Sequence, residues 1–283
     1  MNRRTWVGVV CACVATAAFS GWGEVAKLDS AMAARPTIFV VCAHPDDFEG
    51  CVGTMFLLRD KYEIHMMDFT AGEAGLGKER FDNGETKRLR YQEECEACRY
   101  LGAKLYFAGE VNAPRCYPEK QAYANRATCE KIAALIRKLK PRAVFTHWPI
   151  DHHHDHTMTS MAVMKAIEMS GEDPEVFYFE QGPSEVAQFM PRFYVDISSV
   201  VKERETFTRF YRCQWPDEMV GEKLALSTWR GQRDMWPRVP HVELLGVRVP
   251  RPVGTPSVLD DLPRAKPTPK WPDIRYGEVT ECK

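Results

Sequence analysis

The chain has 283 residues, 45% hydrophobic and 27% charged, with 38 Lys and Arg against 39 Asp and Glu. This composition excludes disordered and collagen-like classes, and the length suits one large domain or two small ones. With no Lys/Arg-rich run there is no electrostatic grip for nucleic acid or anionic lipid, so a small or neutral substrate is the better expectation.

The N-terminus, MNRRTWVGVVCACVATAAFSGWG, sets two arginines before an uncharged run from Trp6 to Phe19 and then small residues. That is the order of an export signal, and the apolar run falls short of the ~20 residues that span a bilayer. Residues 1–20 are therefore expected to be a signal peptide cleaved near Ala18-Phe19-Ser20. The mature protein would be periplasmic, surface-bound or secreted, with no stable membrane insertion. Residues 21–36 then read as a linker.

From residue 37 short apolar runs alternate with longer amphipathic ones. TIFVVCA (37–43) reads as a buried strand, GTMFLLRDK as a helix and YEIHMMDFT as a second strand. ETKRLRYQEECEACRYLGA is helical and closes at Gly102, a C-cap glycine. KLYFAG is a strand, RATCEKIAALIRKLK a helix ended by Pro141, and RAVFTHW a strand. A helix from about His156 to Met169 precedes the strand-like EVFYFE and RFYVDIS, and SVVKERETFTRFYRC is helical again. Strands separated by helices imply a single α/β domain over 37–249: a Rossmann-like, mainly parallel sheet with helices on both faces. Residues 250–283 form a Pro-rich tail, seven prolines falling between 250 and 272. Cys95 and Cys98 form a CxxC inside a helical pattern with no neighbouring Cys/His pair, which favours a structural role; the eight cysteines left after residue 20 permit disulfides.

Two charged clusters lie after strands, where open α/β sheets bind ligands. One is AHPDDFEG after the first strand; the other is THWPIDHHHDHTMTS, which holds five of the eight histidines. A catalytic zinc needs three His, Asp or Glu ligands and one open position. His44 and Asp47, three apart on a turn bent by Pro45, can converge on one ion while Asp46 points elsewhere, and one histidine of the second cluster completes the set.

These residues resemble the LmbE-like/PIG-L group of zinc-dependent N-acetylglucosaminyl deacetylases, whose signatures are AHPDD and a later DxHxDH. They stand here as AHPDDFEGCVGT and as DHHHDH, which holds Asp151, His153, Asp155 and His156. The likeness extends to FTAGEAGLG, RYQEECEACRYLGA, VDIS and WRGQRDMWPRVPHVELL, and so covers about residues 37–246. It implies one Zn2+, or another divalent ion, held by His44, Asp47 and His156. It further implies Asp46 as general base, and a protonated His153 oriented by Asp155 as oxyanion stabiliser. Many members carry HPDDE, whereas Phe48 follows here and Glu49 comes next, so Glu49 takes no metal role. Arg90 matches a family arginine near the substrate, Glu73 is a candidate for sugar hydroxyls, and Asp151 a candidate brace for the histidine loop.

The leading expectation is an exported zinc hydrolase that deacetylates an N-acetylated amino sugar or glycoconjugate. The alternatives are a zinc amidohydrolase acting on a non-sugar N-acyl substrate, and a catalytically silent carbohydrate-binding protein of the same fold. Intact Asp46 and His153 argue against silence.

Overall fold

The computed structural model describes residues 35–72, 83–108, 124–181, 189–233, 238–249, 252 and 254–263. Residues 1–20, expected to be an export signal, nearly all of the expected linker, Glu73 and most of the tail lie outside the described residues. From Pro36 onward the chain is one α/β unit.

Seven strands form one sheet: β1 (Thr37–Cys42), β2 (Glu63–Asp68), β3 (Lys104–Phe107), β4 (Ala143–His147), β5 (Glu175–Phe179), β6 (Phe193–Asp196) and β7 (Val242–Val247). Their order is β3-β2-β1-β4-β5-β7-β6. The first five are parallel, with Val40 level with both Met66 and Phe145. β7 runs antiparallel between β5 and β6. Six helices are described: α1 (Val52–Leu58), α2 (Asn83–Leu101), α3 (Arg126–Leu139), α4 (His154–Ser170), α5 (Val201–Thr208) and α6 (Asp217–Arg233).

Every residue of β1 is buried because both faces of the sheet are covered. Its alternate side chains feed two cores. Ile38, Val40 and Cys42 pack with Met55 and Leu58 of α1, Leu101 of α2 and Phe207 of α5. Phe39 and Val41 pack with Ile132 and Ile136 of α3 and with Val163 and Ile167 of α4. Each such side chain contributes about 1.5–3 kcal/mol on full burial.

The helix ends follow local chemistry. Asn125 caps α3 by accepting the Thr128 N–H at 3.0 Å, and Gly102 takes φ 81 just past α2, where a Cβ would be strained. The helix expected from about His156 starts two residues earlier, at His154, with His153 as its N-cap. This places Asp155 and His156 in its first turn. The expected 199–213 helix is shorter, Val201–Thr208, and α6 and β7 occupy a stretch to which periodicity had assigned no element. The described part of the tail is docked. Val258 is fully buried, Glu175 accepts from Ser257 Oγ at 2.6 Å, and Asp261 accepts from Tyr62 Oη at 2.6 Å.

Strand order reverses between β1 and β4, β2 lying to one side of β1 and β4 to the other. At that reversal the crossover helices leave on opposite faces and a crevice opens beyond the strand ends. AHPDD follows β1 and the histidine cluster follows β4, so the topology brings the two motifs together there.

Candidate metal centre

Asp47 is the hub. Its Oδ2 accepts the His44 backbone N–H at 2.8 Å and lies 3.2 Å from His44 Nδ1 and 3.2 Å from His147 Nε2. Its Oδ1 is 3.6 Å from His156 Nε2. The rings gather around it: His147 stacks on His156 with centroids 4.1 Å apart, and His153 stacks on His156 at 4.5 Å. His44 meets His153 edge-on at 4.7 Å. Two overlapping triads, His44/His153/His156 and Asp47/His147/His156, each bring their ligand atoms within 4.8 Å of one another. Buried nitrogen and carboxylate donors converging in this way suit a borderline divalent cation such as zinc.

The protonation pattern points the same way. Burial alone would lower His44, but the Asp47 charge and hydrogen bonds to Asp155 and Asp47 raise it to about 10. Burial is likewise outweighed at His156, which Asp47 and Asp151 raise to about 9. His147 and His153 go the other way, to about 4, through burial and the charges of neighbouring histidines. Despite its burial, Asp47 is held well below the usual carboxylate range by His156, His147 and His44. Two imidazolium protons thus stand beside Asp47 where one divalent ion could replace them.

Asp46 adjoins Asp47 in sequence but not in environment. Its φ of 100° is left-handed, a conformation that costs a non-glycine residue about 1–3 kcal/mol. That backbone turns its carboxylate toward α2, where Arg90 Nη2 donates to Asp46 Oδ1 at 2.7 Å and Glu94 Oε2 accepts the Asp46 N–H at 3.2 Å. Burial raises Asp46 to about 6 against the opposing charge of Arg90.

Arg90 is therefore not a substrate-facing group. It is 2% exposed, and its guanidinium also donates to the carbonyls of Pro45 and Gly72, the latter at 2.8 Å. A helix-face arginine looks solvated from sequence, but here α2 packs on the AHPDD turn and turns the side chain inward. Gly72, at φ 64, has no room for a side chain, since a Cβ would lie 2.5 Å from Arg90 Nη1.

The brace expected between Asp155 and His153 is also drawn differently. Asp155 Oδ2 lies 3.1 Å from His44 Nε2, whereas His153 Nδ1 has no hydrogen-bond partner. Asp155 lies in the first turn of α4 with its carboxylate against His44. Asp151 accepts the His153 backbone N–H at 2.8 Å and lies 3.0 Å from His156 Nδ1, so it ties the loop to the cluster. His152 and His154 are exposed. Trp148 packs edge-on against Tyr178 and Phe189.

Sequence reasoning missed several buried groups. His147 ends β4, and its Nε2 also accepts the Ala43 N–H at 2.9 Å; it was quoted within the cluster but given no role. Behind Asp46 lie Glu94, raised to about 8 by burial, and Asp68, whose buried carboxylate oxygens have no hydrogen-bond partner. Glu49 meets Arg204 and Lys223 instead of the cluster. The six described cysteines, Cys95 and Cys98 included, are free.

The family model described as PIG-L, GlcNAc-PI de-N-acetylase, matches residues 39–167. Among solved structures, a conserved protein from Thermus thermophilus is 25% identical with TM-score 0.62, over 76% of this chain and 96% of that one. The 4-carboxy-2-hydroxymuconate hydratase GalB from Pseudomonas putida is 21% identical with TM-score 0.65, over 78% and 100%. The N,N'-diacetylchitobiose deacetylase from Pyrococcus horikoshii is 20% identical with TM-score 0.63, over 75% and 83%. The last two likenesses establish a shared fold, and a fold that carries both a hydratase and a deacetylase leaves the chemistry to the site.

Proposed function

We propose that this chain, which carries a PIG-L family domain at residues 39–167, is an exported, zinc-dependent hydrolase that removes acetate from an N-acetylated amino sugar or glycoconjugate. The observation that carries this reading is the division of labour between adjacent aspartates. Asp47 sits among histidines, and Asp46, beside it on a left-handed backbone, is held by Arg90 through Oδ1, which leaves Oδ2 for a proton. One carboxylate serves the cation and the other is left to move a proton.

In this reading His44, Asp47 and His156 hold the ion. His147 is the brace of the site, because its Nε2 already takes the Ala43 N–H. The cation, when bound, supplies Lewis acidity to the acetamide carbonyl and to the attacking water. Asp46 accepts the proton of that water and returns it to the departing amine, so amide and water become acetate and amine. His153, half-buried beside His44 and His156 and held neutral by burial and their charges rather than protonated as the resemblance implies, offers one ring N–H to the oxyanion of the tetrahedral state. Asp155 and Asp151 hold His44 and His156 in orientation.

Residues 1–20 as a cleaved signal would bring the enzyme to extracytoplasmic glycans such as chitooligosaccharides or peptidoglycan fragments. N-terminal sequencing of the mature protein tests this, an intact Met1 counting against it. The catalytic reading is tested by amine release over a panel of N-acetylated sugars and N-acyl amino acids, paired with elemental analysis. Sugar turnover with one zinc per chain is expected. Turnover confined to the amino acids would move the substrate class, and no turnover without bound metal would defeat both enzyme readings.

A further inference from the structure

The turn that carries Asp46 is held by its backbone as well as by its side chain. His44 to Asp47 form a β-turn closed by the Asp47 N–H on the His44 carbonyl at 3.2 Å. Pro45 stands at its second position and Asp46, at φ 100° and ψ −21°, at its third. Positive φ at the third position makes this a type II turn, where glycine or asparagine is the usual residue. An aspartate there is strained, and a half-turn of the Pro45–Asp46 peptide would relieve it. That flip takes the Asp46 φ to about −90°, the type I value, leaves ψ nearly where it is and keeps the closing hydrogen bond.

Helix α2 opposes the flip at both ends of that one peptide. The C=O and N–H of a trans peptide point in opposite directions. Arg90 Nη2 donates to the Pro45 carbonyl, and Glu94 Oε2 accepts the Asp46 N–H at 3.2 Å. Arg90 and Glu94 are one turn apart on one face of α2, with about 5–6 Å between Cβ atoms. The peptide dipole therefore lies between a cation and an acid, each end on its complement. After a flip the carbonyl would face Glu94 and the N–H would face Arg90, which opposes both. Arg90 and Glu94 are buried, Glu94 completely, so little solvent competes for either end.

The consequence falls on the base. Arg90 Nη2 also donates to Asp46 Oδ1 at 2.7 Å, so the Pro45 carbonyl and the Asp46 carboxylate converge on one nitrogen only while the peptide keeps this orientation. We propose that Glu94 is a positioning residue for the reaction: by holding the Asp46 N–H it keeps the turn in its type II form, with Asp46 Oδ1 on Arg90 and Oδ2 left for the proton. The proposal rests on the reading of Asp46 as general base. Burial raises Glu94 to about 8, so near neutral pH a glutamine matches it in shape and charge.

Glu94→Leu removes the acceptor at nearly constant volume, and Glu94→Gln keeps one. The turn is read without turnover, in the zinc-loaded full chain, from the nuclear Overhauser effect between the Pro45 Hα and the Asp46 amide proton. This effect is strong in a type II turn and weak in type I. It is expected to be strong in the wild type and in Glu94→Gln, and weak in Glu94→Leu. In amine release from an N-acetylated sugar, Glu94→Leu should lose kcat by about tenfold or more with KM and zinc content unchanged, while Glu94→Gln stays within about threefold of the wild type. Thermal melts establish that the variants fold; if Glu94→Leu does not, Glu94→Met carries the same expectations. A weak Overhauser effect in the wild type overturns the proposal without any variant. So does a strong effect or undiminished kcat in Glu94→Leu, or a Glu94→Gln as impaired as Glu94→Leu. A wild type that releases amine from no sugar defeats the deacetylase reading, while the Overhauser effect still decides whether Glu94 sets the turn.

Discussion

The difference between Asp46 and Asp47 is made by three side chains. His44 and His156 claim Asp47, and Arg90 claims Asp46 together with the Pro45 and Gly72 carbonyls. Removing Arg90 therefore acts on the proposed base without touching the proposed metal ligands. Arg90→Met should retain metal by elemental analysis, lose about 3–5 kcal/mol in denaturant unfolding because Asp46 is left buried without its cation, and lose turnover at least tenfold. Normal turnover would show that Asp46 needs no such support. At this scale the sequence was legible where residues are consecutive. HPDD names its own chemistry, and Pro45 predicts a turn. It was silent where the partner is remote: Arg90 lies on a helix 44 residues beyond Asp46, and its inward rotamer follows from packing that no local pattern encodes.

Elements behave in the same way. β1 and β4 announce themselves as apolar runs ending in charge, and the parallel core follows from their alternation with helices. β7 does not, because a return strand inserted between β5 and β6 reads like any other short apolar run. Yet β7 anchors the element after the first motif. Glu243 accepts the Gly53 N–H, the Thr54 N–H and the Thr54 hydroxyl, each at 2.7 Å, and so caps the start of α1 from across the sheet. Glu243→Ala is expected to cost about 3 kcal/mol or more in chemical unfolding, since it orphans these buried donors and removes a carboxylate 3.6 Å from Arg204 Nε; a cost under about 1 kcal/mol would mean that water replaces the carboxylate. The docked tail carries a pH dependence. Hydrogen bonds from Tyr62 and Lys61 hold Asp261 below its usual 3.8. The stability this contributes is complete above that value and is lost as pH falls through the folded one. Amide protection factors across residues 254–263, corrected for intrinsic exchange, should fall below about pH 4 in the wild type, and Asp261→Asn should show the lowered protection at pH 7 already.

The whole molecule is a scaffold that delivers two distant sequence motifs to one crevice, and cation binding there should be felt throughout it. In the proposed set His44 and Asp47 come from the turn after β1 and His156 from the first turn of α4, so a bound ion would tie that turn to that helix. At a thousandfold excess over Kd the ion stabilises the fold by ~4 kcal/mol, and stripping it with a chelator should lower Tm by about 8–16 °C for a chain of this size. An unchanged Tm would separate the histidine cluster from metal. The fold class was readable because periodicity and connection length leave few topologies, whereas the grip of α2 on the turn after β1 arises from a helix and a loop that only the folded chain brings together. The central claim is that two adjacent aspartates divide catalysis, and the most direct test compares Asp46→Asn with Asp47→Asn by zinc content and amine release from the same N-acetylated sugar. Asp46→Asn is expected to keep its zinc and lose turnover by about 100-fold or more, and Asp47→Asn to lose both. Zinc loss in Asp46→Asn, or undiminished turnover in that variant, would contradict it.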